Sequence, residues 1–278
     1  MATDEKPEWY QKDAKSINSD AQQLLEKYSG FKSEDVLPHV LALRDEAFKI
    51  CPYPCIGQMR FLSLHLKRHL HYERVLEYLR NNSAAGFLDA GCCVGQEIRF
   101  LTQQGIPDHQ LFGLDLEQPF VDLGYQLFRD KDRLDATFVL GDLHVDEESE
   151  ALAQKLEGKI GIVYASSLLH LWSYEKQLRA ATRLVSLLCD EVGVMVVGRQ
   201  LGGLYAGEFR LTDFNDDTQY RHNVQSIKGL WYGIEQATGT RWKVEVWLIM
   251  EDLIQQIKNM PWGDSNMRVV WWSATRIS

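Results

Sequence analysis

A glycine-containing turn beside an aspartate offers the clearest chemistry in this chain. Residues 86–101, GFLDAGCCVGQEIRFL, carry Asp89, Gly91 and Gly95 in the spacing D-x-G-x-x-x-G. Glycine has no Cβ and accepts left-handed backbone angles, so such a turn lets a nucleoside-like ligand approach the backbone closely. A dinucleotide site needs G-x-G-x-x-G and a P-loop needs a lysine, and this turn has neither. The pattern therefore indicates a nucleoside site of another class.

Two further aspartates stand where a nucleoside would need hydrogen-bond acceptors. Asp115 follows Asp89 by 26 positions, a spacing from which a carboxylate can hold ribose hydroxyls, although NAD sites share that spacing. Asp142, in GDLH, could accept from an adenine amino group, with Leu143 against the ring. The alternative for Asp142 is a helix N-cap or a turn residue.

The segment SSLLHLW, which starts at Ser166, supplies a candidate acid–base group. His170 could act as a general base or orient a substrate oxygen. The alternative is a capped, partly buried histidine on a strand-to-helix turn. Trp172 is predicted to form a wall of the pocket. Further along, Arg199 could bind a substrate carboxylate in bidentate fashion, and its alternative is an ion pair with a surface acid.

The N-terminal third carries a second group of candidates. Tyr53 and Arg60 are expected in a lid over the ligand, where they could bind a carboxylate. His65 and His69 would stand one helical turn apart, but no third ligand is evident, so we predict a solvated helix face and no metal site. The two cysteines of CPYPC, at 51–55, have no second pair to complete a zinc site.

Hydrophobic patterning predicts the elements that must position these residues. Strands are predicted at 86–90, 111–115, 137–141, 160–166 and 193–198, with helices at 95–104, 118–128, 148–156 and 174–189 between them. This alternation predicts a parallel sheet with helices on both faces, whose ligands bind at the carboxyl ends of the strands. Two later strands, at 242–249 and 268–277, predict a seven-stranded Rossmann-like α/β sheet with an antiparallel C-terminal edge, accompanied by helices at 224–238 and near 251–258. Helical spacing at 21–50 and 60–79 predicts a helical N-terminal cap over residues 1–80, ahead of a ligand-binding domain at 81–278.

Composition limits the class of protein. The 278 residues are 45% hydrophobic, enough for one large domain with a small cap. A net charge of −9 disfavours nucleic acid as a partner. We expect no membrane insertion, because no apolar stretch approaches spanning length, and a cytoplasmic location, because the first residues are polar and the five cysteines suit a reduced compartment. A monomer and a homodimer both remain open.

Taken together, the motifs resemble a known family. The glycine turn is similar to motif I of class I S-adenosylmethionine-dependent methyltransferases, with Cys93 at the usual middle glycine. Six segments resemble, in the same order, small fungal methyltransferases of meroterpenoid pathways: CPYPCIGQMRFL, FLDAGCCVGQEIRFL, FGLDLEQPFVDLGYQLFRD, SSLLHLW, VVGRQLGG and YRHN. The resemblance runs from about residue 50 to 250.

The resemblance implies methyl transfer from S-adenosylmethionine, often to a carboxyl group of a farnesylated, orsellinic-acid-type intermediate. A carboxylate is already ionised at neutral pH and needs no strong base, whereas a phenol acceptor would make His170 more important. The predicted cofactor contacts are Asp89, Gly91, Cys92, Gly95, Asp115, Leu116, Asp142, Leu143 and Ser166. The alternatives are a phenol or protein methyltransferase, a protein of the same fold that binds S-adenosylmethionine and steers a cyclisation without methyl transfer, and a non-enzymatic interaction module.

Overall fold

A seven-stranded sheet forms the centre of the protein. The computed structural model describes residues 6–210, 218–249 and 263–278. Its strands are β1 (Gly86–Ala90), β2 (Leu111–Asp115), β3 (Thr137–Leu140), β4 (Ile160–Ser166), β5 (Met195–Gly203), β6 (Gly207–Arg210), β7 (Thr218–Arg221), β8 (Trp242–Ile249) and β9 (Met267–Arg276). The main sheet has the order β3-β2-β1-β4-β5-β9-β8. Strands β1 to β5 run parallel, and β9 pairs antiparallel with both β5 and β8. The predicted fold class is confirmed.

Helices cover both faces of this sheet. They are α1 (Ser19–Ser29), α2 (Ser33–Ile50), α3 (Pro54–Gly57), α4 (Tyr72–Asn81), α5 (Gln96–Gln103), α6 (Gln118–Phe128), α7 (Asp146–Leu156), α8 (Tyr174–Ser186) and α9 (Val224–Thr238). Strand β4 shows why two layers form, because its residues alternate between them. Val163 and Ala165 join the core cluster that includes residues of α7, α8 and α9, whereas Ile162 and Tyr164 join the cluster of α4 and α5. The helix predicted near 251–258 lies outside the described residues.

The prediction of one helix over 60–79 is wrong. The chain instead forms two short 3₁₀ turns, at Arg60–Leu62 and Leu66–Arg68, and α4 begins only at Tyr72. Met59 adopts a left-handed φ of 57°, and His69 has extended backbone angles, so continuous helical hydrogen bonding is broken at both places.

The solvated helix face predicted for the two histidines of this segment is also wrong. His69 is 3% exposed, and its Nε2 lies 3.1 Å from the Trp272 carbonyl oxygen. The His71 N–H donates to the other ring nitrogen of His69 at 3.1 Å. Both nitrogens of this ring are therefore engaged inside the protein.

The N-terminal helices pack against the outer side of α5 and α6. A single apolar cluster joins Leu25 and Val40 of α1 and α2 to Phe100 of α5 and Leu127 of α6. Helix α4 belongs elsewhere, since its buried residues pack with the sheet strands β1 and β4. Helices α1 and α2 therefore pack in one layer with α5 and α6, and α4 packs with the sheet.

A small hairpin of β6 and β7, absent from our predictions, covers the turn that follows β4. The Tyr220 N–H donates to the Trp172 carbonyl at 2.9 Å. The Gln177 amide of α8 donates to the same carbonyl and to that of Tyr220, both at 2.8 Å. Within the described ranges, no helix is both long and apolar enough to cross a membrane.

Candidate functional site

The turn after β1 has the backbone that its sequence predicts. Gly91 and Gly95 have φ angles of 76° and 65°, in the left-handed region that favours glycine. A Cβ on Gly95 would lie 2.5 Å from Arg99 Nη1, so that side chain would have to move, and one on Gly91 would make a tight contact of 3.0 Å with Leu168 Cδ1. Cys93 stands between them with a φ of 50°. A side chain in this region costs about 1–2 kcal/mol.

Asp115, at the end of β2, fastens this turn. Its Oδ2 accepts from the Cys93 N–H at 2.7 Å and its Oδ1 from the Glu117 N–H at 3.1 Å. Burial raises the pKa of Asp115, and these N–H groups act in the opposite direction. The side chain of Leu116 beside it is 60% exposed. An anchored carboxylate next to an open apolar side chain suits a ribose and an aromatic base.

Two buried acids lie below the turn. Asp89 is 3% exposed, and its Oδ2 has no hydrogen-bond partner within the described residues. Burial raises the pKa of Asp89 well above its ordinary value, and the nearby Glu97 raises it further. Glu97 is 2% exposed, and burial raises its pKa to about 7. Glu97 was not among the predicted site residues, because the sequence shows it only as an ordinary acid in the first turn of a helix.

The loop after β3 supports the alternative for Asp142. Its Oδ1 accepts from the His144 N–H at 2.8 Å, as in an Asx turn. Leu143 is 6% exposed and packs with Leu152 in the core, which does not favour its predicted contact with an adenine ring. The His144 ring instead stands perpendicular to that of Trp172, with 4.5 Å between centroids. Trp172 thus contacts the β3 loop, a neighbour that the sequence did not indicate.

The turn after β4 places His170 beside β5. Ser166 ends β4 opposite Arg199 of β5. Ser167 has a left-handed φ of 56°, and its hydroxyl accepts from Arg199 Nη1 at 3.1 Å. His170 follows in a 3₁₀ turn, and its Nδ1 is buried without a hydrogen-bond partner in the part of the chain described. Burial, Arg199, Arg221 and Arg60 lower the pKa of His170 to about 3, so the imidazole is neutral at physiological pH.

Arg60, His65, His170 and Arg199 form a group that we call the basic cluster, in which Arg199 is buried and the other three side chains are half-buried. Arg199 is 4% exposed, and its guanidinium lies 5.4 Å from the Trp271 ring centroid. Burial and the charge of Arg199 lower the pKa of both Arg60 and His65. The Arg60 Nε is buried and has no acceptor among the residues the structure covers. The cluster therefore offers positive charge to an anion.

The cap segment 51–60 lies along the carboxyl edge of the sheet, from Asp115 of β2 to Arg199 of β5. Tyr53, which is 37% exposed, lies close enough to Asp115 for that carboxylate to help raise its pKa, after burial and Cys51. Arg60, seven residues later, reaches the neighbourhood of Arg199. The predicted lid residues and the predicted strand-end residues therefore meet at the carboxyl edge of the sheet, from β2 to β5.

Comparisons with known proteins define the class. The model of the meroterpenoid methyltransferase N-terminal domain matches residues 9–62. The O-methyltransferase phiE of a fungal species is 42% identical over 223 residues, which cover 80% of this chain and 73% of that protein. The Asnovolin E/Chermesin D methyltransferase nvfJ of Aspergillus novofumigatus is 34% identical, over 83% of this chain and 81% of its own.

A solved structure shows the same fold at low identity. The 1,6-didemethyltoxoflavin-N1-methyltransferase of Burkholderia thailandensis, solved with S-adenosylhomocysteine, aligns with a TM-score of 0.52 and 13% identity, over 87% of this chain and 91% of its own. Fold and relatives confirm the expected class, a methyltransferase with the fold of the S-adenosylmethionine-dependent enzymes. Within that class, the chain belongs to the family of fungal meroterpenoid methyltransferases.

Proposed function

We propose that this protein transfers the methyl group of S-adenosylmethionine to a carboxylate of a farnesylated, orsellinic-acid-type meroterpenoid intermediate. The basic cluster carries the proposal. The Nε of the half-buried Arg60 is buried and has no acceptor in the described part of the chain, and Arg199 adds a second charge nearby. A planar guanidinium can bind a carboxylate through two parallel hydrogen bonds.

The cofactor site is assigned to the carboxyl ends of β1 and β2. Asp89 and the turn from Gly91 to Gly95 would hold the methionine part, and Asp115 with Leu116 the nucleoside part. The unsatisfied, buried Oδ2 of Asp89 fits a positively charged group. When bound, S-adenosylmethionine supplies an electrophilic methyl group on sulfur.

The side chains of this protein then have a modest chemical task. A carboxylate is ionised at neutral pH, so no residue must remove a proton from it. Arg60 and Arg199 hold and orient the carboxylate, and the neutral His170 can donate one hydrogen bond to it. Alignment of the reactants and exclusion of water supply several kcal/mol toward the barrier. Trp172 and the β6–β7 hairpin would close the acceptor side.

Calorimetric titration tests the cofactor assignment. S-adenosylmethionine and S-adenosylhomocysteine are titrated into the wild-type protein, into Asp115→Asn, and into Asp132→Asn as a matched surface control. We expect micromolar binding to the wild type and to the control, and its loss in Asp115→Asn, because the amide has no negative charge and offers one acceptor oxygen in place of the two that bond the Cys93 and Glu117 N–H groups. Absence of binding to the wild-type protein would contradict the proposal.

Product analysis tests the acceptor. A farnesylated aromatic acid and its phenolic analogue without the carboxyl group are incubated with the enzyme and S-adenosylmethionine, and products are analysed by mass spectrometry. We expect one added methyl group, only on the acid, in an ester that mild alkali cleaves, together with one S-adenosylhomocysteine per product. An alkali-stable ether would instead establish a phenol acceptor, and a rearranged product without S-adenosylhomocysteine would establish a cyclase.

A further inference from the structure

Glu97 joins the cofactor turn to the N-terminal cap. It lies in the first turn of α5, two residues after Gly95, and its Oε1 accepts from the N–H groups of His65 and Leu66 at 2.7 and 3.0 Å. Hydrogen bonds from backbone N–H groups to a carboxylate are about twice as strong as those between neutral groups. The bonded segment follows Arg60 by five residues, so Glu97 fixes the part of the cap that carries this arginine.

The other side of Glu97 faces the second buried acid. Its Oε2 is buried and makes no hydrogen bond within the described ranges, although the Tyr164 hydroxyl lies beside it. The charge of Glu97 acts on Asp89, whose Oδ2 is equally unsatisfied. Two adjacent buried acids repel each other when both are ionised, and a cation between them removes that cost. The titratable and charged groups that face Glu97 are Asp89 of β1, Tyr164 of β4, Arg199 of β5, Tyr72 of α4 and, through its backbone, His65 of the cap.

We propose that Glu97 is a positioning residue that couples cofactor binding to closure of the cap. A positively charged group of the cofactor beside Asp89 stabilises Glu97 as a carboxylate. The carboxylate then holds segment 63–66, and with it Arg60, more firmly over the site. This inference rests on the proposed function, because S-adenosylmethionine is the cation assigned to this position.

The titration of Glu97 gives the coupling its direction. Its pKa of about 7 means that the free protein contains both neutral and ionised Glu97 near neutral pH. A cation favours the ionised form, so binding releases protons at and below pH 7. Affinity for the cofactor therefore rises as pH increases through 7 and levels off above it.

Hydrogen exchange measures the coupling directly. Amide exchange in segment 63–66 is followed at pH 7, with and without S-adenosylhomocysteine, which retains the charged amino group and cannot react. The wild type is compared with Glu97→Gln, which keeps an acceptor oxygen, and with Glu77→Gln on the exposed face of α4 as a matched control. We expect the ligand to slow exchange of the His65 and Leu66 amides about tenfold in the wild type and the control, and far less in Glu97→Gln. Equal slowing in Glu97→Gln would overturn the proposal.

A second measurement needs no variant. The Kd of S-adenosylhomocysteine for the wild-type protein is expected to be about tenfold lower at pH 8 than at pH 6, since one pKa unit corresponds to a tenfold change. A Kd independent of pH over this range would overturn the coupling. Failure of the wild-type protein to bind the ligand at any pH would instead overturn the proposed function.

Discussion

At the residue scale, the turn after β1 combines two glycines in the left-handed region with the buried acids Asp89 and Glu97. Asp89, Gly91 and Gly95 could be located because glycine positions with left-handed angles leave a direct trace in the sequence. Glu97 leaves no such trace. Its role depends on hydrogen bonds to residues 31 and 32 positions away in the sequence, and on its burial. Neither can be predicted from a single glutamate in a helix.

Cys93 provides a test of the strain in that turn. It has a left-handed φ, so Cys93→Gly relieves about 1–2 kcal/mol of strain and loses its side-chain contacts. We expect the free energy of unfolding to stay within about 1 kcal/mol of the wild type. Cys93→Val, which is β-branched, should destabilise the protein by about 2 kcal/mol or more. Urea unfolding checks both, with Cys189→Val, outside this turn, as control. A valine variant as stable as the wild type would show that the turn is not strained.

We predict that Arg60 lowers the stability of the folded protein and favours binding of the acceptor. Its Nε is buried without an acceptor in the described residues, and burial lowers its pKa. Arg60→Met removes this charge, so we expect an equal or higher melting temperature together with at least about a tenfold higher KM for the carboxylate acceptor. Arg68→Met, which changes an exposed arginine of the same segment, is the control. An unchanged KM would remove Arg60 from the acceptor site.

At the element scale, the alternating strands and helices after residue 85 were predictable because each buried strand is a short apolar run between turn signals. The β6–β7 hairpin was not. Its strands have four residues each, and its position depends on hydrogen bonds to the turn after β4 and not on a pattern of its own. The break in the predicted helix at 60–79 was not predictable either, because a methionine does not indicate the left-handed φ that Met59 adopts.

Gln177 tests whether this hairpin positions the turn after β4. Its fully buried amide bridges the carbonyls of Trp172 and Tyr220, so Gln177→Leu leaves two buried acceptors with fewer partners. We expect the free energy of unfolding to fall by about 1–3 kcal/mol. We also expect kcat to fall while the Kd of S-adenosylhomocysteine changes little, because the acceptor side moves and the β1 turn does not. Lys176→Leu, an exposed neighbour on α8, should change neither. Equal losses in cofactor binding and kcat would indicate general unfolding.

At the scale of the whole molecule, opposing groups of buried titratable residues determine how stability depends on pH. Burial lowers the pKa of His69 to about 4, that of His170 to about 3 and that of His222 to about 4. The unfolded chain binds these protons below pH 6.5 and the folded chain does not, so stability falls as pH decreases from 6.5 toward 4. Burial raises the pKa of Asp89, Glu97 and Asp115, so these acids lower stability as pH increases through the same range. The two effects oppose each other, and we expect a nearly flat profile between pH 5 and 6.5.

Two substitutions separate these opposing effects. His69→Gln keeps a donor for Trp272 and an acceptor for the His71 N–H, but it does not titrate. Relative to the wild type, we expect it to gain about 1.4 kcal/mol per pH unit as pH decreases from 6.5 to 4. Glu97→Gln should gain at a similar rate in the opposite direction, from pH 5 to 7, and then level off because the Glu97 pKa is about 7. Urea unfolding of both variants across this range measures the slopes, and His109→Gln, at an exposed position, is expected to follow the wild type. Parallel curves for all variants would mean that these groups keep ordinary proton affinities in the folded protein, and the charge coupling assigned to the cofactor turn would lose its physical basis.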